Sequence, residues 1–464
     1  MTATTLDAAP NRALTLQQLQ DLVDRRKLTT VQLAAVDGPG RLVGKTYGAP
    51  FFLDWLAAAK RSPEVCAYLF ATDRAMRPVT GFDLTDWNRG FGDVHLAVQM
   101  DTARLTPWQR GNALVLAQPV GSDGQPLAVA PTVMLNRQLQ LLRDSYGLSA
   151  KVSWETEFTL YHGSVEEAAA QDFLGLTPVT SDTRDYALDH PAELTAFFRD
   201  LTANLDGAAF PVEAIKTESA PGQVEVTFDY GDPVQACLRH LLFKHAARAI
   251  ANRHDLVPTF MAAPDTGVGN GLHLHLSLYR GDRPVLGDDA DPARLSATGE
   301  HAVAGLLEAL PALGPLFAPV PNSYKRFRPH SFAPDRYAWG YDNRTTAVRV
   351  VGHGQGLHLE LRLPGADANV YLVLAAALAA ISHGIEGKLK PPPPTPGDGY
   401  LDTTTPMVPT SLHRALHDYR ASPLPGQLLG DSVAQHYAHA AHLELEQEEA
   451  RVTDVERSLG FART

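Results

Sequence analysis

Cysteine is nearly absent: Cys66 and Cys237 are the only two among 464 residues, and they are far apart. That excludes a disulfide framework and a cysteine-based metal site, and it fits a reducing cytoplasm. Positive charge is also scarce, with 40 Lys and Arg against 52 Asp and Glu and a formal net charge of −12. A nucleic-acid surface would need clustered basic residues, so no nucleic-acid partner is expected. Long apolar runs are missing. The longest, Tyr371–Ile381, is about half of the roughly 20 residues a bilayer span needs, so no membrane partner is expected either. The first residues, MTATTLDAAPNRALTLQQLQ, contain no apolar core of the signal-peptide kind. No G-x-x-x-x-G-K-[ST] loop and no kinase-type glycine loop with its Asp and Asn motifs occurs, which removes those two nucleotide sites. What remains is a globular composition, 44% hydrophobic and 20% charged, long enough for one large domain with a smaller companion.

The chain opens with apolar residues at helical spacing over 14–27, ending in basic residues, which predicts a helix. From about 30 to 128, short β-prone runs alternate with turn signals: TVQLAAVD, GPG, RLVGK, VHLAVQM, NALVLAQPV and GSDGQP. These predict a small sheet domain over 1–128. The amphipathic run 131–147, ending in Gly147, opens a second domain, 129–464, in which helices and strands intermix. PPPPTPG at 391–397 can be neither helix nor central strand and reads as an extended spacer. The acidic segment 432–450 reads as helix.

Four predicted strands of the second domain share an unusual face. In KVSWETEFTLY, Val152, Trp154, Phe158 and Leu160 oppose Glu155 and Glu157; in GQVEVTFDY, Val224, Val226 and Phe228 oppose Gln223, Glu225 and Thr227. In GLHLHLSLY four leucines oppose His273, His275 and Ser277, and in GLHLELRLP four leucines oppose His358, Glu360 and Arg362. A solvated strand face also alternates, but usually with Lys, Thr, Ser and Gln. Carboxylates at i, i+2 on one face repel unless a positive charge lies between them, and a divalent cation is the natural partner. Carboxylate oxygens with one or two imidazoles suit Mg²⁺ or Mn²⁺ better than Zn²⁺. Arginines on the same faces would take an anionic substrate or a phosphate. The pattern thus leads to a two-metal phosphoryl-transfer or hydrolytic site on a curved antiparallel sheet, with ligase, nuclease and phosphatase all open.

The motifs WETEF (154–158), ESAPGQVEV (218–226), TFMAAP with GNGLHLHLSL (259–278), NSYKR (322–326), and NRTTAVRV followed by LELRLPGADANVYL (343–372) together resemble the glutamine synthetase superfamily in order and spacing. Weaker similarity extends back through VDGPGRLVGK and GFGDVHLAVQMDTARLTPW. PGQVEV, PGADAN and WGYDNR resemble the branch that joins glutamate to amines, to which bacterial polyamine and ethanolamine ligases belong. The resemblance implies an α+β fold with a small β-grasp N-terminal domain and a large catalytic domain on the antiparallel sheet. It implies a carbon–nitrogen ligase of amine and nitrogen metabolism, using L-glutamate, ATP and a small amine with two or more Mg²⁺ (or Mn²⁺) per subunit. It further implies a cytoplasmic homo-oligomer, commonly a dodecamer of two stacked hexameric rings, with sites formed between neighbours.

Carried over residue by residue, Glu157, Glu218 and Glu225 match the ligands of the substrate-side metal, Glu218 by resemblance alone. Glu155, His273 and Glu360 match those of the metal that orients the γ-phosphate. Glu213, Tyr230, His275 and Ser277 match nucleotide-side positions, for each of which an ordinary polar strand residue is the plainer reading. Arg326, Arg362 and Gly269 match the glutamate binders, and Arg344 and Arg349 the arginines that stabilise the phosphoryl group. The departures are informative. Phe332 stands where ammonia-using members carry a flap glutamate, which implies an acceptor larger than ammonia; a buried Phe332 with Asp335 supplying the carboxylate is the alternative. His358, Ala263, Val268 and Val370 replace the usual Arg, Lys, Asn and Pro. Competing readings are a true glutamine synthetase, a weakly active homologue with a binding or regulatory role, and a two-metal hydrolase.

Overall fold

The computed structural model describes residues 13–58 and 63–463. The helix expected at 14–27 is Leu16–Asp24. Thr15 caps it, accepting from the Gln18 amide while the Gln18 side chain accepts from Thr15 N–H, which satisfies two otherwise orphaned donors. Beyond it come β1 (Thr30–Val36), β2 (Leu42–Gly48), β3 (Glu64–Cys66), β4 (Asp93–Leu105) and β5 (Asn112–Val120). They form one sheet in the order β2-β1-β5-β4-β3, with β1 antiparallel to β2 and parallel to β5. One segment of this region departs from the β reading. APFFLDWLA is a helix, Ala49–Ala57, because Pro50 sits in its first turn and Ala49, Phe52 and Leu53 bury one side, the spacing of a helix face.

The second sheet comprises β6 (Ser149–His162), β7 (Val212–Thr217), β8 (Gln223–Phe228), β9 (Leu256–Thr259), β10 (Leu272–Arg280), β11 (Arg283–Pro284), β12 (Trp339–Tyr341), β13 (Val348–Val351) and β14 (His358–Leu361). Its main order is β12-β13-β14-β10-β6-β8-β7, with β11 on β10 and β9 on β6. Every pair is antiparallel except β12–β13. The helix Pro131–Tyr146 leads into it and stops at Gly147, whose φ of 62° is the left-handed C-terminal cap. One face of the sheet is largely apolar, with Thr156 as a buried polar exception: Val152, Trp154, Phe158, Leu160, Val224, Val226, the leucines of β10, and Leu359 and Leu361 all join one buried core. The helix Pro233–Ala251 packs against that face, with Phe243 against Phe158 and Phe228.

The run that is too short to span a membrane becomes the buried helix Val370–Glu386, and no described helix is long and apolar enough to cross one. It lies against the helix Ala297–Ala309 through two glycines. A Cβ on Gly305 would meet the Ala380 carbonyl oxygen at 2.2 Å, and one on Gly384 would meet that of His301 at 2.1 Å. Backbones this close admit no side chain at either position. The prolines of 391–394 carry no helix or strand. Both cysteines are free.

Candidate active site

With the apolar face committed to the core, period-two alternation turns the acidic and imidazole side chains to the other face. Register then decides which of them meet. Glu157 stands directly opposite Glu225, and Glu155 directly opposite His273. Glu360 stands opposite His275 on one side and Arg349 on the other. Three overlapping groups, Glu157–Glu218–Glu225, Glu155–Glu225–His273 and Glu155–His275–Glu360, each bring their donor atoms within 4.8 Å of one another. Glu218 comes from the irregular end of β7, where its amide bonds the Gln223 carbonyl at 2.9 Å.

Two facing carboxylates repel across a strand pair, and the surroundings answer with cations. Arg349 Nη1 donates to Glu360 Oε2 at 2.8 Å and Nη2 to Asp342, while Arg362 donates to Glu360 Oε1 and to the Phe332 carbonyl at 3.3 Å. Burial would raise the Glu360 carboxyl, but Arg362, His273 and His275 hold it down at about 2. Burial, Glu155 and Glu157 push Glu225 the other way, far above the carboxylate range, against the pull of Lys216. Burial depresses His275, yet its Nε2, 2.8 Å from Glu155 Oε2, and the Glu360 charge raise it overall.

The residues fit a divalent cation on three counts. His273 Nδ1 is buried without a hydrogen-bond partner, 3.7 Å from both Glu155 Oε2 and Glu360 Oε1. A Cβ on Gly271 would lie 2.8 Å from His273 Nε2, 2.9 Å from Arg326 Nη2 and 3.3 Å from Glu157 Oε1, so glycine keeps this space open. The donor set is hard carboxylate oxygen with imidazole, as Mg²⁺ and Mn²⁺ prefer.

The other expected residues divide. Arg326 is buried beside the carboxylates; its guanidinium donates to the Leu363 and Arg362 carbonyls, and burial lowers it to about 10, still charged at neutral pH. Gly269 packs against it, a Cβ there falling 2.9 Å from Arg326 Cγ. Ser277 lies farther along β10, opposite Lys151. Arg344 and Glu213 are exposed, Glu213 at the irregularity between Val212 and Ala214. Tyr230 is exposed, with Lys151 over its ring at 5.5 Å. Phe332 is 59% exposed at φ 58°, so it is no core residue, whereas Asp335 is buried.

Two participants escaped sequence reasoning. Lys216 stands opposite Glu225, bonds Glu218, and lies 3.9 Å from Glu225; the K-x-E spacing in IKTES was the available signal. Gln223 Nε2 donates to Glu157 Oε2 at 3.2 Å, to the Gly269 carbonyl at 2.7 Å and to Asn270 Oδ1 at 3.0 Å. Nothing in one strand's alternation reveals such a hub.

A family model, the glutamine synthetase catalytic domain, matches residues 128–459. The chain belongs to the glutamine synthetase family. Divalent metal and ATP use come with that family, and the acidic groups above are compatible with it. Within the family, the gamma-glutamylethanolamide synthetase GlnA4 of Streptomyces coelicolor is 39% identical over 451 residues, covering 97% of this chain and 96% of that protein. A glutamate–isopropylamine ligase of a Pseudomonas species is 30% identical, with 95% and 96% covered. The gamma-glutamylputrescine synthetase PuuA of Escherichia coli is 31% identical, with 74% and 73% covered. In fold the chain is similar to the solved GmaS/ADP complex, at a TM-score of 0.82 and 24% identity, covering 96% of this chain and 99% of that one.

Proposed function

We propose that this chain is an ATP-dependent ligase that joins the γ-carboxylate of L-glutamate to a small primary amine. In the first step a γ-carboxylate oxygen attacks the terminal phosphorus of ATP and ADP leaves, giving γ-glutamyl phosphate. In the second the amine nitrogen attacks the acyl carbon, phosphate leaves, and the nitrogen sheds a proton. Activation is required because a free carboxylate is a poor electrophile. Arg326 and Arg362, with the Gly269 backbone, hold glutamate; Arg349 and Arg344 offset charge on the phosphoryl group as it transfers. Glu157, Glu218 and Glu225 would hold one Mg²⁺ or Mn²⁺ and Glu155, His273 and Glu360 a second. Bound there, the cations supply charge neutralisation to the transferring phosphoryl. Glu213, Tyr230, His275 and Ser277 serve the nucleotide. The assembly is a cytoplasmic homo-oligomer of stacked rings, which light scattering of the active species tests; a fully active monomer would remove that part.

One observation carries the choice of acceptor. Phe332 is exposed, while Arg362, itself bonded to Glu360, holds its carbonyl. This supports a flap that offers apolar surface to a carbon-bearing amine and no carboxylate to attract or deprotonate ammonium. The names of the similar ligases agree with this, and a short amine such as ethanolamine or an alkylamine fits better than a polyamine. The test is ATP-dependent phosphate release with ammonium and a panel of amines, with the products identified by mass spectrometry. The native enzyme should prefer an amine, and Phe332→Glu should move kcat/KM toward ammonium by about tenfold, or 1.4 kcal/mol. A native preference for ammonium, or no shift in the variant, overturns the assignment.

A further inference from the structure

A half-open cavity lies away from the acidic face. About 410 Å³ in volume, it is lined by loops that follow β1 and β3, by the helix Pro233–Ala251 and by the penultimate helix, Asp431–Glu449. That is the size of a small-molecule site. Much of its wall is apolar, including Phe70, Phe260 and Leu372. Its charges nearly cancel. Arg41 pairs with Asp37 at 2.6 Å, Asp73 with Arg77 at 2.8 Å, and Arg74 with Glu444 at 3.8 Å. His436, pushed down to about 3 by burial, is neutral.

What is left over is positive: burial lowers Lys244 to about 7 and raises the Asp367 carboxyl, so Arg248 carries most of the charge. Lys244 and Arg248, one helical turn apart, line the cavity together with a single remaining carboxylate, Asp367. Lys244 donates to the Ala366 carbonyl at 2.9 Å, and both cations stand over the Phe260 ring, at 4.7 and 5.2 Å. Asp367 accepts from Ser323 through Oδ2 at 2.6 Å, and its buried Oδ1 has no hydrogen-bond partner. Among the described residues the Arg248 side chain has no hydrogen bond and no ion pair, and the residue is both lining and solvent-exposed, so a ligand can reach it. A guanidinium held over an aromatic ring with its N–H fork free is a receptor for a planar carboxylate. We propose that this cavity binds a small apolar monocarboxylate, its head on Arg248 and Lys244 and its body against Phe70, Phe260 and Leu372.

The position gives such a ligand leverage on the acidic face. Lys244 bonds the Ala366 carbonyl, the Ala366 amide bonds the Asn270 carbonyl at 3.0 Å, and Gln223 joins Asn270 to Glu157. In parallel, Asp367 anchors Ser323 in the segment that carries Arg326. A carboxylate drawing Lys244 away from Ala366 breaks into the first path directly and reaches the second through the charge that Lys244 presents to Asp367. Occupancy therefore shifts the affinity for L-glutamate.

The experiment is calorimetric titration of the full chain with phenylacetate, and with neutral phenylacetamide, under saturating L-glutamate, ADP and Mg²⁺. Phenylacetate should bind saturably and phenylacetamide at least about tenfold more weakly, as a charge-assisted fork requires. Arg248→Gln should weaken phenylacetate equally, while unliganded turnover and melting temperature stay at the native level. Ala440→Trp, which fills the cavity from the penultimate helix, should abolish binding in a folded protein. Phenylacetate should also change the KM for L-glutamate at least about fivefold, an ordinary coupling, and not in Arg248→Gln. Equal binding of acid and amide, or unchanged binding in both variants, overturns the site; an unmoved KM overturns the coupling. Because calorimetry reads binding without turnover, the site can stand or fall apart from the ligase reading.

Discussion

The acidic sheet face and the cavity both gather charged side chains, but they balance them differently. In the cavity each carboxylate except Asp367 has an arginine partner within 4 Å, so the region is close to neutral by itself. On the sheet, Glu157 faces Glu225, and Glu155 adds a third carboxylate within reach. Lys216 offsets part of this, while Arg349 and Arg362 bond Glu360 and none of these three carboxylates. A region built for stability pairs its charges internally, because an unpaired buried charge costs several kcal/mol. A region left unbalanced in one sign is waiting for a cation. The contrast separates paired carboxylates from unpaired ones without reference to any relative.

The strongest way to break the comparison is Glu225→Ala. Turnover should fall by well over 100-fold, beyond the 10–100-fold loss typical of residues that only orient a ligand. The fold should survive, since one of two facing carboxylates has gone; circular dichroism and a melting curve in EDTA check this. Near-native turnover in that variant would make the sheet face an ordinary charge network. Next in size is Gly271→Ala, whose methyl group enters the space between His273, Arg326 and Glu157. It should cost about 10–100-fold in activity and raise the metal concentration needed, as disturbed ligand orientation does.

Lys216→Met sharpens the contrast further. Without the ammonium the three carboxylates repel more and attract a divalent cation more strongly. The melting temperature should drop in EDTA and recover with Mg²⁺, and the activating metal concentration should fall. A variant whose melting curve ignores Mg²⁺ would show that Lys216 pairs for stability alone. The smallest effect belongs to the cavity. Burial raises the Glu444 carboxyl to about 7; Arg74 opposes the shift, and Asp73 and Glu448 reinforce it. A carboxyl raised on folding stabilises the folded state below its ordinary value, and that contribution fades as pH rises toward 7. Glu444→Gln should flatten the decline of melting temperature between about pH 4.5 and 7, with activity unchanged.

Much of this was legible beforehand because it depends on local periodicity. Alternation in WETEF, QVEV, LHLHLSL and LHLELR put Glu155, Glu157, Glu225, His273 and Glu360 on one face, and the strands bear that out. Gly147 ended its helix as glycine does. What was not legible depends on long-range pairing. No single strand says that Glu157 faces Glu225 and not Glu155, that Lys216 lies across from Glu225, or that β12 joins parallel to β13. The helix Ala49–Ala57 was not singled out within the β-prone region for a related reason, since a stretch with Phe, Phe and Trp serves either element until its buried side is known.

By itself, then, the sequence determined which residue types share a face, where helices stop, and the family whose motifs they spell. Those properties follow from side-chain period, backbone propensity and composition, all of which act over a few residues. Tertiary structure alone decided which carboxylates touch and which atoms are left unpaired, as His273 Nδ1 is. It also decided that Phe332 is held by its carbonyl with the ring exposed, and that a cavity closes between two distant helices around Arg248. The reason is physical. Charge–charge and hydrogen-bond energies are set by distances of a few ångströms between residues tens to hundreds of positions apart, and only the packed chain fixes those distances.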